Sequence, residues 1–221
     1  MRAAPFAIRA GLISGILAPP LWAAMIILCG ALRPGFDHVD QYISELGERG
    51  GANADLMRYG GFMLTGLMHV GFAAAFNAML LGMSRHRRLT RLVALLIALD
   101  GLGRVGAGVF ACEPGCLGAE SLDQRLHSLS ATVAFLSIIA ASLLAGPLLL
   151  RTPPLGKLAA YSFASGCAGI LFLALMSASE STHVGTGLYE RLASGALSLW
   201  VCVIALRLWW LADGARAIPP D

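Results

Sequence analysis

Six long apolar runs, separated by short polar segments, set the pattern of this chain. They lie at about residues 11–32, 59–83, 92–111, 127–150, 158–179 and 190–212. A membrane-spanning helix needs about 20 mostly apolar residues, and each run reaches that length. The alternation of apolar and polar residues that marks a membrane β-barrel is absent. The pattern therefore predicts an all-α protein in which residues 1–221 form a single transmembrane domain. This domain is a polytopic membrane helix bundle of six transmembrane helices, arranged as three hairpins.

The composition supports a lipid environment and narrows the classes of function. Of the 221 residues, 57% are hydrophobic and only 13% are charged, whereas soluble domains carry about 25% charged residues. The net charge of +3 is small, and no basic patch is interleaved with aromatic residues, so we expect no nucleic-acid partner. The first apolar run is longer than the core of a signal peptide, roughly 7–15 residues, which favours a retained first helix.

The basic residues fall unevenly on the two sides of the predicted bundle. One side carries Arg2, Arg9, Arg85, Arg87, Arg88, Arg91, Arg151, Lys157, Arg207 and Arg216, and the other carries Arg33, Arg49, Arg58, Arg125 and Arg191. Because positive residues stay in the cytoplasm, both termini are predicted to be cytoplasmic, in the inner (plasma) membrane. Most acidic residues then lie outside, where they either solvate the loops or serve a site.

The first outer loop, residues 33–58, holds the densest polar stretch of the chain, FDHVDQYISELG at Phe36–Gly47. Its candidate catalytic residues are His38, Asp40, Ser44 and Glu45. Carboxylates beside a histidine can bind a divalent cation or act as acid–base groups. The apolar residues between them, Tyr42, Ile43 and Leu46, predict an amphipathic helix at the lipid interface. The alternative is that this helix only covers the bundle.

Three ionisable residues lie deep inside apolar runs, away from the ends of those runs. Asp100 and Arg104 belong to the third run and His69 to the second. Ionisable residues at such a depth are costly and usually face the bundle interior, and the i, i+4 spacing lets Asp100 and Arg104 pair. The pair either joins helices or takes part in ligand binding. In the second case Arg104, or Arg125 near the start of the fourth run, would bind an anionic headgroup.

Two further histidines, His127 and His183, are predicted to lie with His38 near the outer mouth of the bundle. Three histidines and a carboxylate are a ligand set typical of zinc. Zinc or another divalent cation is therefore a candidate cofactor, and His127 and His183 join the candidate catalytic residues. The spacings that mark helical zinc sites, HxxH and HxxxH, are absent, so each histidine can instead be a hydrogen-bonded packing residue.

The second outer loop contains the sequence Cys112-Glu-Pro-Gly-Cys116. Pro-Gly fits the centre of a type II turn, which brings the flanking cysteines close together. The space outside an inner membrane is oxidising, so a disulfide is expected. A redox pair, a metal site or free thiols are the alternatives.

Three motifs resemble one family. They are FDHVDQYISELG, the GAGVFACEPGC end of the third run and LHSLSATVAF at the start of the fourth. Together they resemble the DUF998 family, a domain of unknown function in bacterial and archaeal membrane proteins, over nearly the whole chain. The resemblance implies six membrane helices and no particular activity.

A more distant likeness is to the ceramidase-type membrane hydrolases. Thr65-x-x-x-His69 followed by Asp100 resembles the Ser-x-x-x-His and Asp of those zinc enzymes. The likeness implies a lipid hydrolase. This chain departs from that pattern because Thr stands in place of Ser, the late His-x-x-x-His pair is missing and one helix fewer is predicted.

The sequence leaves three functions open. A metal-assisted lipid hydrolase would use the outer candidate residues. A transporter of a small solute or ion would use His69, Asp100 and Arg104 as a polar route. A structural protein would engage a partner membrane protein or a second copy of itself. We expect an integral inner-membrane protein whose outward-facing acidic and histidine-containing site engages membrane lipid or a partner membrane protein.

Overall fold

A computed structural model describes residues 5–118 and 121–214, which form six long helices. They are α1 (Phe6–Ala31), α2 (Leu64–Met83), α3 (Arg87–Val109), α4 (Leu122–Leu150), α5 (Ala159–Ser179) and α6 (Thr186–Gly214). A π-helical segment, Leu56–Met63, leads into α2, and a 3-10 helix, Pro153–Leu158, leads into α5. All six helices, with these lead-in segments, are long and apolar enough to cross a membrane. The predicted all-α, six-helix membrane fold is confirmed.

The helices form a closed ring. Each one packs against the next in sequence, and α6 returns to pack against α1. Phe72, Phe76, Ile97 and Trp200 fill the interior and are completely buried. Large side chains on the outside of the ring, such as Leu136, are more than half exposed, as expected for a surface that faces lipid.

Glycines allow α2 and α3 to cross closely. A Cβ added to Gly66 would lie 2.5 Å from the carbonyl oxygen of Gly101, and a Cβ added to Gly101 would lie 2.5 Å from that of Gly66. Small residues are the usual means by which membrane helices approach each other. This crossing lies one turn from His69 on α2 and beside Asp100 on α3, so it fixes the separation of those two side chains.

Residues 32–55, here called the cap, fold across the end of the bundle at which α1 ends. The cap does not form the amphipathic interfacial helix that the sequence suggests, because its only helix is a 3-10 turn at Ser44–Gly47. Ile43 and Leu46 are 1% exposed and pack against the bundle rather than against lipid. The buried carboxylates of Glu45 and Glu48 accept backbone N–H groups, and such bonds compete with helix formation.

Candidate functional site

The cap is attached to α6 by several hydrogen bonds. The backbone N–H of Ile43 donates to Oε2 of Glu190 at 2.6 Å, and the backbone N–H of Gly185 donates to Oδ1 of Asp40 at 2.7 Å. Arg191 donates through Nη1 to the carbonyl oxygen of Gln41 at 2.8 Å. These bonds hold the central part of the cap over the start of α6.

A second set of contacts ties the cap to the loop between α3 and α4. Glu48 accepts from Nη2 of Arg33 and from the backbone N–H of Gly115, both at 2.6 Å. The backbone N–H of Arg49 donates to the carbonyl oxygen of Cys112 at 2.8 Å. The cap therefore joins the ends of α1, α3 and α6, and it positions Ser44 above the centre of the bundle.

A substitution at Gly187 tests how closely the cap must pack against α6. A Cβ at this position would overlap the carbonyl oxygen of Gln41. We expect Gly187→Ala to push the cap away, to speed hydrogen exchange at the Ile43 amide and to lower the free energy of unfolding by about 1 kcal/mol. Gly195→Ala on the same helix is the control, because a Cβ there would meet no atom within 4 Å. Equal exchange rates in the two variants would show that the cap is not held by this contact.

Three ionisable side chains form a buried cluster below the cap. Nδ1 of His69 is hydrogen bonded to Oδ2 of Asp100, and Nε of Arg104 donates to Oδ1 of Asp100 at 3.2 Å. His69 and Asp100 are 1% exposed, and Arg104 is 8% exposed. Each carboxylate oxygen therefore has a partner of its own, which is what makes a charge tolerable at this depth.

Aromatic and hydroxyl groups from other helices surround Arg104. Its guanidinium lies 4.9 Å from the ring centroid of Trp22, within the range of a cation–π interaction. Nη2 also lies 3.5 Å from Oγ of Ser198. Nε1 of Trp22 donates to Oγ of Ser194 at 2.8 Å, so the positions of α1, α3 and α6 are linked through Arg104.

A small cavity of about 60 Å³ lies between this cluster and the cap. Its lining consists of Trp22, Ser44, Phe62, Asp100, Arg104, Ala107, His127, Ala131, Ala134, Phe135, Glu190 and Ser194. A cavity of roughly 10–15 Å³ by this measure already holds one water molecule. The cavity is thus large enough for several waters or a small polar group, and it presents both charged and aromatic groups to its contents.

A larger cleft of about 520 Å³ opens between α4 and α5. It shares Ser44, His127, Ala131, Phe135 and Glu190 with the cavity. Its lining on α4 runs from His127 to Leu136, a length of about 14 Å at 1.5 Å per residue. Apolar residues line the part farther from the cap, and Tyr42 and Glu180 line its end near the cap. The cleft is therefore an amphipathic entrance to the cavity.

The far side of the cavity is closed. Phe72 lies one helical turn beyond His69 and Ile97 one turn beyond Asp100, and both are completely buried. Together with Phe76 and Trp200 they belong to the apolar core that fills the rest of the bundle. The cleft and cavity therefore form one pocket with an opening near the cap and an apolar floor.

His127 stands where the cleft meets the cavity. Its Nδ1 lies 3.0 Å from the carbonyl oxygen of Ala107 and 2.9 Å from that of Phe110. Two carbonyl acceptors require that Nδ1 carries the proton, which leaves Nε2 as a free acceptor in the neutral ring. His127 can therefore accept a hydrogen bond or bind a metal ion without losing its anchorage.

Carboxylates dominate the opening of the pocket. Burial, together with the charges of Glu180, Glu190 and Glu45, raises the pKa of Tyr42 to about 12. Asp100 is balanced by Arg104 within the cavity. Arg191, the neighbour of Glu190 in sequence, directs its Nη1 to the carbonyl oxygens of Gln41 and Gly187. The cleft lining therefore contains two carboxyl groups, those of Glu180 and Glu190, and no lysine or arginine.

The structure brings together part of the residue set that the sequence predicts. Ser44, His127, Asp100 and Arg104 line the cavity, and His69 supports Asp100 from below. Glu45 lies beside them but uses its carboxylate within the cap, accepting from Gln41 at 2.6 Å and from the Tyr42 amide at 2.9 Å.

The other predicted residues lie elsewhere. His38 packs against Gly30 of α1 and edge-on against Phe36, and its pKa is lowered by burial and by the charge of Arg191. Asp40 binds the Gly185 amide, while His183 and Arg125 are exposed on the surface. Among the described residues, the three predicted zinc histidines do not meet in one cluster with a carboxylate.

Glu190, Trp22 and Ser194 are pocket residues that the sequence does not single out as candidates. For Glu190 a signal exists, because it is a carboxylate at the first position of an apolar run, directly before Arg191. Trp22 and Ser194 carry no such signal, since tryptophan and serine are ordinary residues of membrane helices.

The cysteines of the second loop, Cys112 and Cys116, are joined in a disulfide. Cys112 is completely buried, whereas Cys116 lines the cleft. The disulfide loop therefore forms part of the pocket rim beside His127.

Comparison with known proteins gives one match. The family described as "Protein of unknown function (DUF998)" matches residues 16–207. No curated protein and no solved structure matches the chain. The likeness to ceramidase-type hydrolases accordingly stays a prediction from the sequence. Since the match covers all but the ends of the chain, and six apolar helices carry the pocket, this membrane-type protein belongs to the DUF998 family.

Proposed function

We propose that the protein binds an amphipathic, positively charged molecule that enters its pocket from the surrounding membrane leaflet. The observation that carries this proposal is the continuity between the cleft of α4 and α5 and the polar cavity. An apolar chain fits the cleft walls near Leu136 and Leu173, and a polar end fits the region of Ser44, His127 and Glu190. Pockets with apolar walls and a few convergent polar groups are typical ligand sites.

The cap end is proposed to face outward from the inner (plasma) membrane, with both termini in the cytoplasm. The opposite end carries Arg85, Arg87, Arg88, Arg151 and Lys157 in its loops and helix ends, and such residues favour the cytoplasmic side. A disulfide in the loop at the cap end is typical of an oxidising compartment. Two independent features thus support the same orientation.

The closed floor favours binding over conduction. A solute that reached Asp100 would have to pass the apolar residues beyond it, among them Phe72 and Ile97. A charged group gains its stabilisation within the cavity and none below it. The pocket is therefore suited to hold or present a ligand on the side of the cap.

The charge of the lining favours a cationic polar end, such as the amine or quaternary ammonium of a lipid. Arg104 is already paired with Asp100, whereas Glu180 and Glu190 line the cleft without a lysine or arginine among its lining groups. An acidic opening raises the local concentration of cations. Phe135 adds an aromatic face, which attracts ammonium groups.

We expect Glu190→Gln to weaken the binding of a long-chain alkylammonium probe about tenfold, since the variant loses one charge-assisted contact. The glutamine oxygen can still accept from the Ile43 amide, so the cap stays attached. Native mass spectrometry of the full chain, released from non-ionic detergent, measures the bound fraction. Glu113→Gln is the matched control, because Glu113 is at the same end but outside the pocket.

Two further comparisons separate the parts of the proposal. Ala131→Trp fills the junction of cleft and cavity and should abolish binding of the probe. An alkyl alcohol of the same length should bind more weakly than the alkylammonium; equal binding of the two would overturn the proposed charge preference. Unchanged binding by Ala131→Trp would refute the pocket itself, and cleavage of an ester-bearing probe would instead indicate a hydrolase.

A further inference from the structure

The disulfide loop and His127 bring three possible metal ligands together. The sulfur atoms of Cys112 and Cys116 and a ring nitrogen of His127 lie within 4.8 Å of one another. Among residues 5–118 and 121–214, this is the one group of three or more histidine, cysteine or acidic side chains with ligand atoms so close. Its members come from the α3–α4 loop and from the second turn of α4.

We propose that reduction of this disulfide creates a site for a thiophilic metal ion, Zn²⁺ or a chemically similar ion, bound by Cys112, Cys116 and His127. The oxidised pair is then the closed state of the site. The inference is independent of the amphipathic ligand proposed above, because it rests on the sulfur atoms and the imidazole alone.

The ligand chemistry fits a zinc-type site. Zinc binds thiolate at about 2.3 Å and imidazole nitrogen at about 2.0–2.1 Å, in a tetrahedron. Ligand atoms in such a site are roughly 3.5–3.8 Å apart, as those bond lengths require. A cluster within 4.8 Å reaches this spacing with a small movement of the loop. Three protein ligands leave the fourth position to water.

The surroundings of His127 support its role as a ligand. A metal-bound histidine usually donates its other ring N–H to a carbonyl or carboxylate, which fixes the tautomer. Nδ1 of His127 already has the carbonyl oxygens of Ala107 and Phe110 at 3.0 Å and 2.9 Å. Nε2 therefore holds the free lone pair, so the ring needs no change of protonation to bind a metal.

The site is reachable from the cleft. Cys116 and His127 both line it, whereas Cys112 is completely buried, with its sulfur 3.6 Å from the carbonyl oxygen of Ser44. An external thiolate can therefore approach the sulfur of Cys116. Once reduced, the thiol of Cys112 can donate to the Ser44 carbonyl until a metal displaces its proton.

The reductant is a dithiol, and the exchange balances. One thiolate of the dithiol attacks the sulfur of Cys116, the bond between the two protein sulfurs breaks, and Cys112 leaves as a thiolate. The second thiolate of the reductant then attacks the mixed disulfide and releases Cys116, forming a cyclic disulfide of the reductant. Two electrons pass to the protein. Metal binding transfers any protons on the two thiols to solvent.

The test uses the full chain in detergent with Cys29→Ser, Cys167→Ser and Cys202→Ser, which removes the three free cysteines. The protein is reduced with a dithiol, freed of reductant without air and titrated with Co²⁺. We expect one equivalent to bind with the near-ultraviolet absorption of a thiolate–cobalt bond, and Zn²⁺ to displace it. The oxidised protein should show no such absorption.

Variants decide which residues bind the metal. Cys116→Ser should abolish stoichiometric binding, and His127→Gln should weaken it at least tenfold, while His183→Gln, an exposed histidine at the same end, should leave it unchanged. Alkylation of Cys112 and Cys116 in the reduced protein should also abolish binding. This second measurement leaves both cysteines in place in the sequence and does not depend on the folding of a variant. Absence of thiolate–cobalt absorption in the reduced protein, or its persistence after Cys116→Ser or alkylation, would overturn the proposal.

Discussion

Replacement of Asp100 by Asn is expected to lower the free energy of unfolding by about 3–5 kcal/mol, the usual cost of breaking a buried ion pair from one side. Asp100 is 1% exposed and bonds both His69 and Arg104. Without the carboxylate, the guanidinium of Arg104 loses its ion-pair partner, because among the described residues Asp100 carries the one carboxylate within ion-pairing distance of it. The loss is measured by unfolding the protein in detergent while tryptophan fluorescence is recorded. A denaturant series then gives the free energy of unfolding of each variant.

Two comparisons make this prediction specific. Asp123→Asn removes the carboxylate of an exposed pair with Arg49 and should cost less than about 1 kcal/mol. Arg104→Gln should cost less than Asp100→Asn, because Asp100 keeps its hydrogen bond to His69, whereas Asp100→Asn leaves the guanidinium of Arg104 without its partner. If Asp100→Asn were no more harmful than Asp123→Asn, the cluster would not be a structural ion pair.

The six helices are predictable from the sequence because length and hydropathy alone determine which segments can cross a membrane. The predicted runs agree with the helices to within a few residues over most of the chain. Among the largest differences are those at the starts of α1, α3 and α4, each of which begins five residues before the predicted run, at Phe6, Arg87 and Leu122. Polar residues at a helix end do not interrupt the helix itself; they only place its first turn outside the apolar layer.

The sequence predicts the conformation of the cap wrongly, for a physical reason. The apolar positions Tyr42, Ile43 and Leu46 have the spacing of an amphipathic helix, and an isolated peptide would show that face to lipid. In the folded protein the end of the bundle competes with lipid for these apolar side chains. It also provides the carboxylate of Glu190, which accepts a hydrogen bond from the Ile43 amide. Tertiary contacts of this kind cannot be read from local periodicity.

The candidate site is predictable only in part. Asp100, Arg104 and His69 stand out because charge inside an apolar run must have a partner, and the structure supplies those partners within the same cluster. In the sequence, His38 and His183 stand out only because they are histidines. They lie apart from the pocket because the conformation of their loops determines their positions, and no simple sequence period predicts that conformation. Glu190 stands out as a carboxylate at the first position of an apolar run, but its hydrogen bond to the cap has no signature in the sequence of α6.

The pocket also gives a reason for the presence of the cluster of His69, Asp100 and Arg104, although charged groups are costly to bury. A buried ionic cluster whose only role was to join α2 and α3 could be replaced by apolar residues of similar volume without loss of stability. Arg104 and Asp100 instead face a cavity that continues into the cleft between α4 and α5. We therefore interpret the cluster as the fixed base of the pocket, which requires that α2 and α3 hold their relative position.

Gly101→Ala is expected to lower the free energy of unfolding by about 1–3 kcal/mol through overpacking and to reduce binding of the alkylammonium probe. The added Cβ would lie 2.5 Å from the Gly66 carbonyl oxygen and 3.0 Å from the Val70 amide nitrogen. Backbone atoms cannot turn aside as side chains do, so α2 must move away from α3, which stretches the hydrogen bond between His69 and Asp100.

Gly82→Ala on α2, where a Cβ meets no atom within 4 Å, controls for the change of residue type and should leave the free energy of unfolding and the probe binding unchanged. Unfolding curves and native mass spectra of the two variants provide the measurement. Equal stability of the two would mean that the crossing at Gly66 and Gly101 is loose, and the geometry of the pocket base would then have to be held by the cap alone.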